Sequence, residues 1–317
     1  MDAKAICDGT HVVIIIDLLL KPGFDSSIFL QTIDSILAFG TSLILQSGAN
    51  KVTILGSSNV KNDILFADLP EFATDGNSLE VSGGQVEKLA QITTTFNSNF
   101  SRWITACSRD AESGADVAKS SMVSGSIAQA LCLINRHRSE YSTSRIIVFS
   151  LGADVDHYSS QYMKLINCFF AAQKADIVID SCSVGMNREQ EESSNISASM
   201  EDRFAASILQ QGSDLTGGRY IRVHKVSTLL EHLFWCFTPG SSERALLVLP
   251  PKLKICPPAA CFCHRKVLDI GYVCSVCVSV FCQFLPFCST CQSNVFVNNL
   301  KKIAQLKTSK ATDEKIV

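Results

Sequence analysis

Cys274-Ser-Val-Cys277 and Cys288-Ser-Thr-Cys291 are two Cys-x-x-Cys pairs separated by ten residues. Thiolates at that spacing can take neighbouring corners of one metal tetrahedron, and the second pair completes a four-sulfur shell. A closed shell leaves no position for a reacting water, so the expected chemistry is a structural zinc ion rather than hydrolysis. Four more groups, Cys261, Cys263, His264 and Cys282, lie in the same stretch. They can supply a second zinc in a cross-brace like that of RING domains, or Cys261 and Cys263 can simply be buried beside the first site. Cys256, next to Pro257 and Pro258, reads as a free thiol. Of the fourteen cysteines, six are spread over the first 240 residues in apolar settings such as Leu131-Cys132-Leu133, and eight fall between Cys256 and Cys291. Scattered buried thiols with one dense ligand cluster point to a reducing compartment and bound zinc, not to disulfides.

Asp17 is a second place to look for chemistry, since it ends the run His-Val-Val-Ile-Ile-Ile-Asp-Leu over residues 11–18. In an open α/β sheet, ligands bind beyond the carboxyl ends of the strands. The cation motif of von Willebrand A domains, Asp-x-Ser-x-Ser, offers carboxylate and hydroxyl oxygens, the hard ligands that divalent ions prefer. Here it would have to be Asp17-Leu18-Leu19-Leu20-Lys21, with both serines replaced and an ammonium added. Asp154 could be a second acidic ligand, but carboxylates without hydroxyls make a poor site. No Mg2+ is therefore expected at Asp17, which should instead cap backbone N–H groups. Neither a Gly-x-x-x-x-Gly-Lys-Ser/Thr loop nor a Gly-x-Gly-x-x-Gly turn follows the first strand. Gly217-Gly218 precedes a strand and reads as a tight turn needing positive φ. His11, at the head of its strand, reads as a satisfied edge residue, and none of the six histidines adjoins a serine or cysteine in a recognisable nucleophile setting. No catalytic or cofactor-binding residue is assigned, and the chain is not expected to be an enzyme.

The elements that must position these groups alternate. Strands are expected over residues 11–18, 51–56, 145–150, 176–184 and 219–223, from continuous apolar or β-branched runs. Helices are expected from Ser26 or Ser27 to about Ile44, and over residues 85–105, 124–136, 160–174, 204–211 and 226–237. Polar stretches at 108–121 and 187–199 read as loops. This alternation specifies an α/β fold, a doubly wound and mostly parallel sheet covered by helices on both faces. The expected division is a domain over 1–240, a proline-containing linker over 241–260, a zinc module over 261–297 and a lysine-containing flexible tail over 298–317. With 46% hydrophobic and 18% charged residues the chain is globular, and a net charge of −2 gives no electrostatic case for nucleic acid or membrane surfaces. No uninterrupted apolar run approaches a membrane span, and Asp17 inside the first one argues against a signal peptide.

Several segments carry a resemblance. They are Ser160-Gln-Tyr-Met-Lys-Leu-Ile-Asn-Cys-Phe-Phe-Ala-Ala-Gln-Lys174, Ile177-Val-Ile-Asp180, Leu249-Pro-Pro251, Asp214-Leu-Thr-Gly-Gly218, Ala260-Cys-Phe-Cys-His-Arg-Lys266 and Gly271-Tyr-Val-Cys-Ser-Val-Cys277. Together they resemble the smaller von Willebrand A-like subunits of the general transcription factor TFIIH, from about residue 10 to 297 and most weakly over 57–120. The resemblance implies a von Willebrand A-like domain and a non-catalytic role in the TFIIH core, serving RNA polymerase II initiation and nucleotide excision repair. It also implies a nuclear location, zinc at Cys274, Cys277, Cys288 and Cys291, and pairing with the larger von Willebrand A-like, RING-containing subunit. The family lacks an intact cation motif, as this sequence does. No small-molecule substrate, membrane or direct nucleic-acid contact is expected; the dispersed lysines after residue 300 read as a solvated terminus. The alternative is a RING-like ubiquitin ligase module on a protein-binding α/β domain.

Overall fold

Val12 to Ile16 are five successive apolar residues with no exposed face, each at most 1% accessible. Such a run satisfies its backbone and both side-chain faces only in the middle of a covered sheet. In the computed structural model it forms part of strand β1 (Cys7–Leu18). The structure describes residues 7–18, 26–69, 85–112, 122–151, 161–184, 200–223, 225–249, 259–264, 267–268 and 270–293. They fall into two compact units, Met1–Cys256 and Pro257–Val317, treated separately below.

In the first unit β1 is followed by α1 (Ser26–Gln46), β2 (Lys51–Ser57), β3 (Asn62–Ala67), α2 (Gln85–Glu112), α3 (Val123–Arg136) and β4 (Tyr141–Leu151). Then come α4 (Tyr162–Lys174), β5 (Val178–Val184), α5 (Met200–Leu215), β6 (Tyr220–Val223), α6 (Leu229–Phe237) and a single turn, α7 (Ser241–Arg244). The strand order is β3-β2-β1-β4-β5-β6, parallel throughout except for the antiparallel edge strand β3. This is the doubly wound, mostly parallel arrangement expected from the sequence.

The core on one side joins α1, α2 and α6 to the sheet through Ile36, Phe39, Phe96, Phe149, Leu233 and Phe237, none more than 0% exposed. Helix α1, although interrupted by polar residues, is long and apolar enough by composition to cross a membrane, yet it is half-buried within the fold. Its stripe Ile33, Ile36, Leu37, Phe39, Leu43 and Ile44 is consumed by the core.

Three further expectations are corrected. Strand β3 was not anticipated, because an edge strand with one partner tolerates half-buried polar residues such as Asn62 and Asp63. The loop expected at 108–121 begins as helix: α2 continues to Glu112, with Cys107 anchored in the core, and 113–121 lie outside the described residues. The linker expected at 241–260 begins as α7, whose Arg244 forms a bidentate bond to Asp180 of β5. The loop expected at 187–199 and the tail at 298–317 lie outside the described residues.

Candidate metal centre

In the second unit, strands β9 (Tyr272–Val273) and β10 (Val280–Phe281) pair antiparallel, as do β7 (Ala259–Ala260) and β8 (Val267–Leu268). Strands of two residues cannot hold a fold by themselves. The apolar cluster here is small: Cys274, Phe281 and Cys288, with Leu285, Cys277 and Cys291 against it.

Order comes instead from two turns of one design. In Cys274-Ser-Val-Cys277-Val-Ser279, the Val278 N–H donates to Cys274 O (2.9 Å) and the Cys274 N–H to Ser279 O (2.9 Å). In Cys288-Ser-Thr-Cys291-Gln-Ser293, the Gln292 N–H donates to Cys288 O (2.8 Å) and the Cys288 N–H to Ser293 O (3.0 Å). Each turn puts a non-glycine residue in the left-handed region, Val278 at φ 60° and Gln292 at φ 58°. A β-branched residue there is strained, so the turn must be fixed by something stronger than local preference.

That fixture is the convergence of sulfurs. The ligand atoms of Cys274, Cys277, Cys288 and Cys291 all lie within 4.8 Å of one another. Cys274 Sγ is 3.8 Å from Cys291 Sγ, and Cys277 Sγ is 3.5 Å from Cys288 Sγ. The edge of a tetrahedron with metal–sulfur bonds of about 2.3 Å is about 3.8 Å, so the four sulfurs fit one ion. The surroundings favour thiolates. Ser279 Oγ lies 3.1 Å from Cys277 Sγ and Ser293 Oγ 2.9 Å from Cys291 Sγ, and the Val276 amide donates to Cys274 Sγ at 3.4 Å. Burial raises the Cys274 thiol, but the Cys277 and Val276 amides and the neighbouring thiols outweigh it and hold the pKa down at about 6. Ser279 pulls Cys277 downward, yet burial and the Cys274 and Cys288 thiols leave it raised to about 11. A cation would release the proton that such crowded sulfurs otherwise share.

A second group, Cys261, Cys263 and Cys282, also has its sulfurs within 4.8 Å of one another. His264, expected alongside them, is exposed and stands outside this group. Two cysteine clusters could therefore hold a metal ion.

The other sequence candidates are placed as follows. Asp17 is fully buried, in register with Ser57 of β2 and Ser150 of β4. Leu19, Leu20, Lys21 and Asp154 lie outside the described residues, and with them the rest of the cation motif. Sequence reasoning missed those flanking hydroxyls, which come from other strands rather than from the motif's own spacing. His11 is not at an edge: it is fully buried, 3.2 Å from Thr53 Oγ1 and packed against His137 and Tyr141. Burial, with His137 adding to it, lowers its pKa to about 4. Gly217 has φ +77°, and its amide and that of Gly218 close α5 onto Asp214 O and Ser213 O. A Cβ on Gly218 would sit 2.0 Å from Ile179 O, so that position admits only glycine.

A cavity of about 550 Å³ opens at the amino ends of β1 and β4, where Arg145, Arg219 and Arg244 gather. Two of these cations are spent on the fold. Buried Arg145 donates to the carbonyls of Phe237, Thr238 and Pro239, and Arg244 to Asp180 at 2.6 and 2.8 Å. On the surface of the first unit, Trp235, Leu246 and Val248 are exposed at 70%, 88% and 103%.

The family model described as "Transcription factor Tfb4" matches residues 12–292. The chain is 33% identical over 258 residues to "General transcription and DNA repair factor IIH subunit tfb4" of Schizosaccharomyces pombe, covering 80% of this chain and 76% of that one. It is 38% identical over 174 residues to "General transcription factor IIH subunit 3" of Dictyostelium discoideum, covering 54% of this chain and 41% of that one. Among solved structures, the "TFIIH p34 N-terminal Domain" matches 73% of this chain and 98% of its own at 20% identity, with a TM-score of 0.48.

Proposed function

The chain belongs to the transcription factor Tfb4 family, and from that premise we propose that it is a non-catalytic subunit of the general transcription and DNA repair factor IIH. It acts in the nucleus as a scaffold for other TFIIH subunits, serving transcription initiation and nucleotide excision repair. The single observation that carries this reading is the match of the family model across both units, residues 12–292. Its principal partner is the larger von Willebrand A-like, RING-containing subunit. The exposed Trp235, Leu246 and Val248 suit a chain whose surface is completed by partners. Nothing in the comparisons supports the ubiquitin ligase alternative.

In this reading Cys274, Cys277, Cys288 and Cys291 hold a structural zinc ion. When bound it supplies four bonds to a unit whose apolar cluster is too small to fold it, and no open position for reaction. Asp17 holds no divalent cation. It is fully buried in the sheet, and in the sequence the two serines of the cation motif are replaced by Leu19 and Lys21.

The test is affinity purification of the tagged full chain from nuclear extract, with subunits identified by mass spectrometry. Recovery of the TFIIH helicases and the RING-containing subunit is expected, with Cys274→Ser lowering that recovery. A free monomer in every fraction would contradict the proposal.

A further inference from the structure

The cysteines of the second unit alternate between clusters along the chain. Cys261 and Cys263 belong to the three-sulfur group, Cys274 and Cys277 to the four-sulfur group, Cys282 again to the first and Cys288 and Cys291 again to the second. Chain order and spatial grouping therefore interlock, so that each cluster ties together segments that the other separates.

We infer that Cys261, Cys263 and Cys282 form a second zinc site, interleaved with the four-sulfur site as a cross-brace. The inference deepens the zinc reading above and rests on it for the first ion. Three observations carry it.

First, three sulfurs within 4.8 Å of one another match the compactness of the four-sulfur group, although they come from positions twenty-one residues apart in the chain. Second, the same device prepares both sets. The Cys263 amide donates to Cys261 Sγ at 3.4 Å, as the Val276 amide does to Cys274 Sγ, and the Cys282 amide closes on Cys261 Sγ from the other side at 3.2 Å. Amide donors aimed at sulfur stabilise thiolate over thiol, which suits a cation ligand more than an inert buried cysteine. Third, the two sets share a strut. The Phe262 amide donates to Val280 O at 2.9 Å, and β10 leads directly into Cys282 while pairing with β9, which leads into Cys274. Fixing Cys261 to Cys282 through a metal would lock β10 against both knuckles.

Cys261 is 1% exposed whereas Cys263 and His264 are exposed, so the fourth corner lies toward solvent. His264 follows Cys263 in the chain and is the group proposed for that corner, which its imidazole would have to turn to reach. Zinc, with its tolerance of mixed sulfur and nitrogen shells, is the ion this set would take. Binding displaces the remaining thiol protons to solvent and involves no change in oxidation state.

The test is metal content of the full chain purified under reducing conditions with zinc supplied. Two zinc ions per chain are expected, falling to one in Cys282→Ser. Because that variant could lose both ions by unfolding, cobalt substitution of the unaltered chain gives an independent reading. Its thiolate-to-cobalt absorption should be that of seven sulfurs, not four. One zinc in the unaltered chain with a four-sulfur cobalt spectrum overturns the second site and leaves the first standing. No zinc at all overturns both. Retention of two ions in Cys282→Ser overturns the assignment of that ligand, and with it the cross-brace.

Discussion

The central sheet and the cysteine unit both bury polar groups, and they satisfy them in opposite ways. In the first unit, Arg145 and Asp180 are buried beside a large apolar core, each met by several partners from the chain itself. The second unit has a buried apolar cluster built around one phenylalanine, Phe281, and its sulfurs face one another. Large cores order polar groups by excluding water from an already stable frame. A unit this small has no such frame, and its ligands and their ion must be the frame. The left-handed Val278 is the mark of the difference, for such strain is absent from the strands of the sheet, where side-chain burial and backbone preference agree.

The comparison can be broken from either side. Asp180→Asn removes the carboxylate that accepts from Arg244 and from the Arg219 amide, leaving a buried guanidinium without its anion. Loss of about 3–5 kcal/mol in denaturant unfolding of the first unit is expected. Zinc content should not change; if it fell in proportion, the units would not be independent.

His11 probes the same core by pH. Its pKa is lowered to about 4 in the folded chain against 6.5 when unfolded, so the unfolded chain gains a proton first as pH falls. Stability from this group is full above about pH 6.5 and declines toward pH 4, by about 3 kcal/mol in all. Thermal unfolding of His11→Gln should show a flatter profile over that window. An unchanged slope would mean that His11 is not what the core excludes from protonation.

Val278→Gly sharpens the comparison on the other side. It relieves the left-handed strain at a position whose side chain is 71% exposed, so packing loss is small. A net stabilisation of the second unit by about 1 kcal/mol is expected, read as tighter zinc retention against a chelator, with no effect on the sheet. Weaker retention would show that the valine side chain, not the turn, matters there.

Much of this was written in residue runs. Residues 12–16 and 145–150 have to be central strands because nothing else hides both of their faces, and Cys-x-x-Cys spacing announces a metal knuckle by itself. What escaped depends on neighbours distant in sequence. Edge strand β3 is half polar and is held only by β2. The Arg145 and Arg244 contacts join positions more than sixty residues apart. His11 is buried by Thr53, His137 and Tyr141, none of them near it in the chain. The cysteine sets were legible as a possible cross-brace, but that Cys282 joins Cys261 and Cys263 while His264 stands outside the group needed coordinates, since spacing defines pairs but not which groups meet.

Hydrogen exchange of the full chain with and without a zinc chelator tests most directly whether the two units are held by different forces. Chelation should abolish amide protection across residues 272–293 while β1 and β4 exchange as slowly as before. Protection that survives in the second unit, or that falls in the sheet to the same degree, would contradict this account.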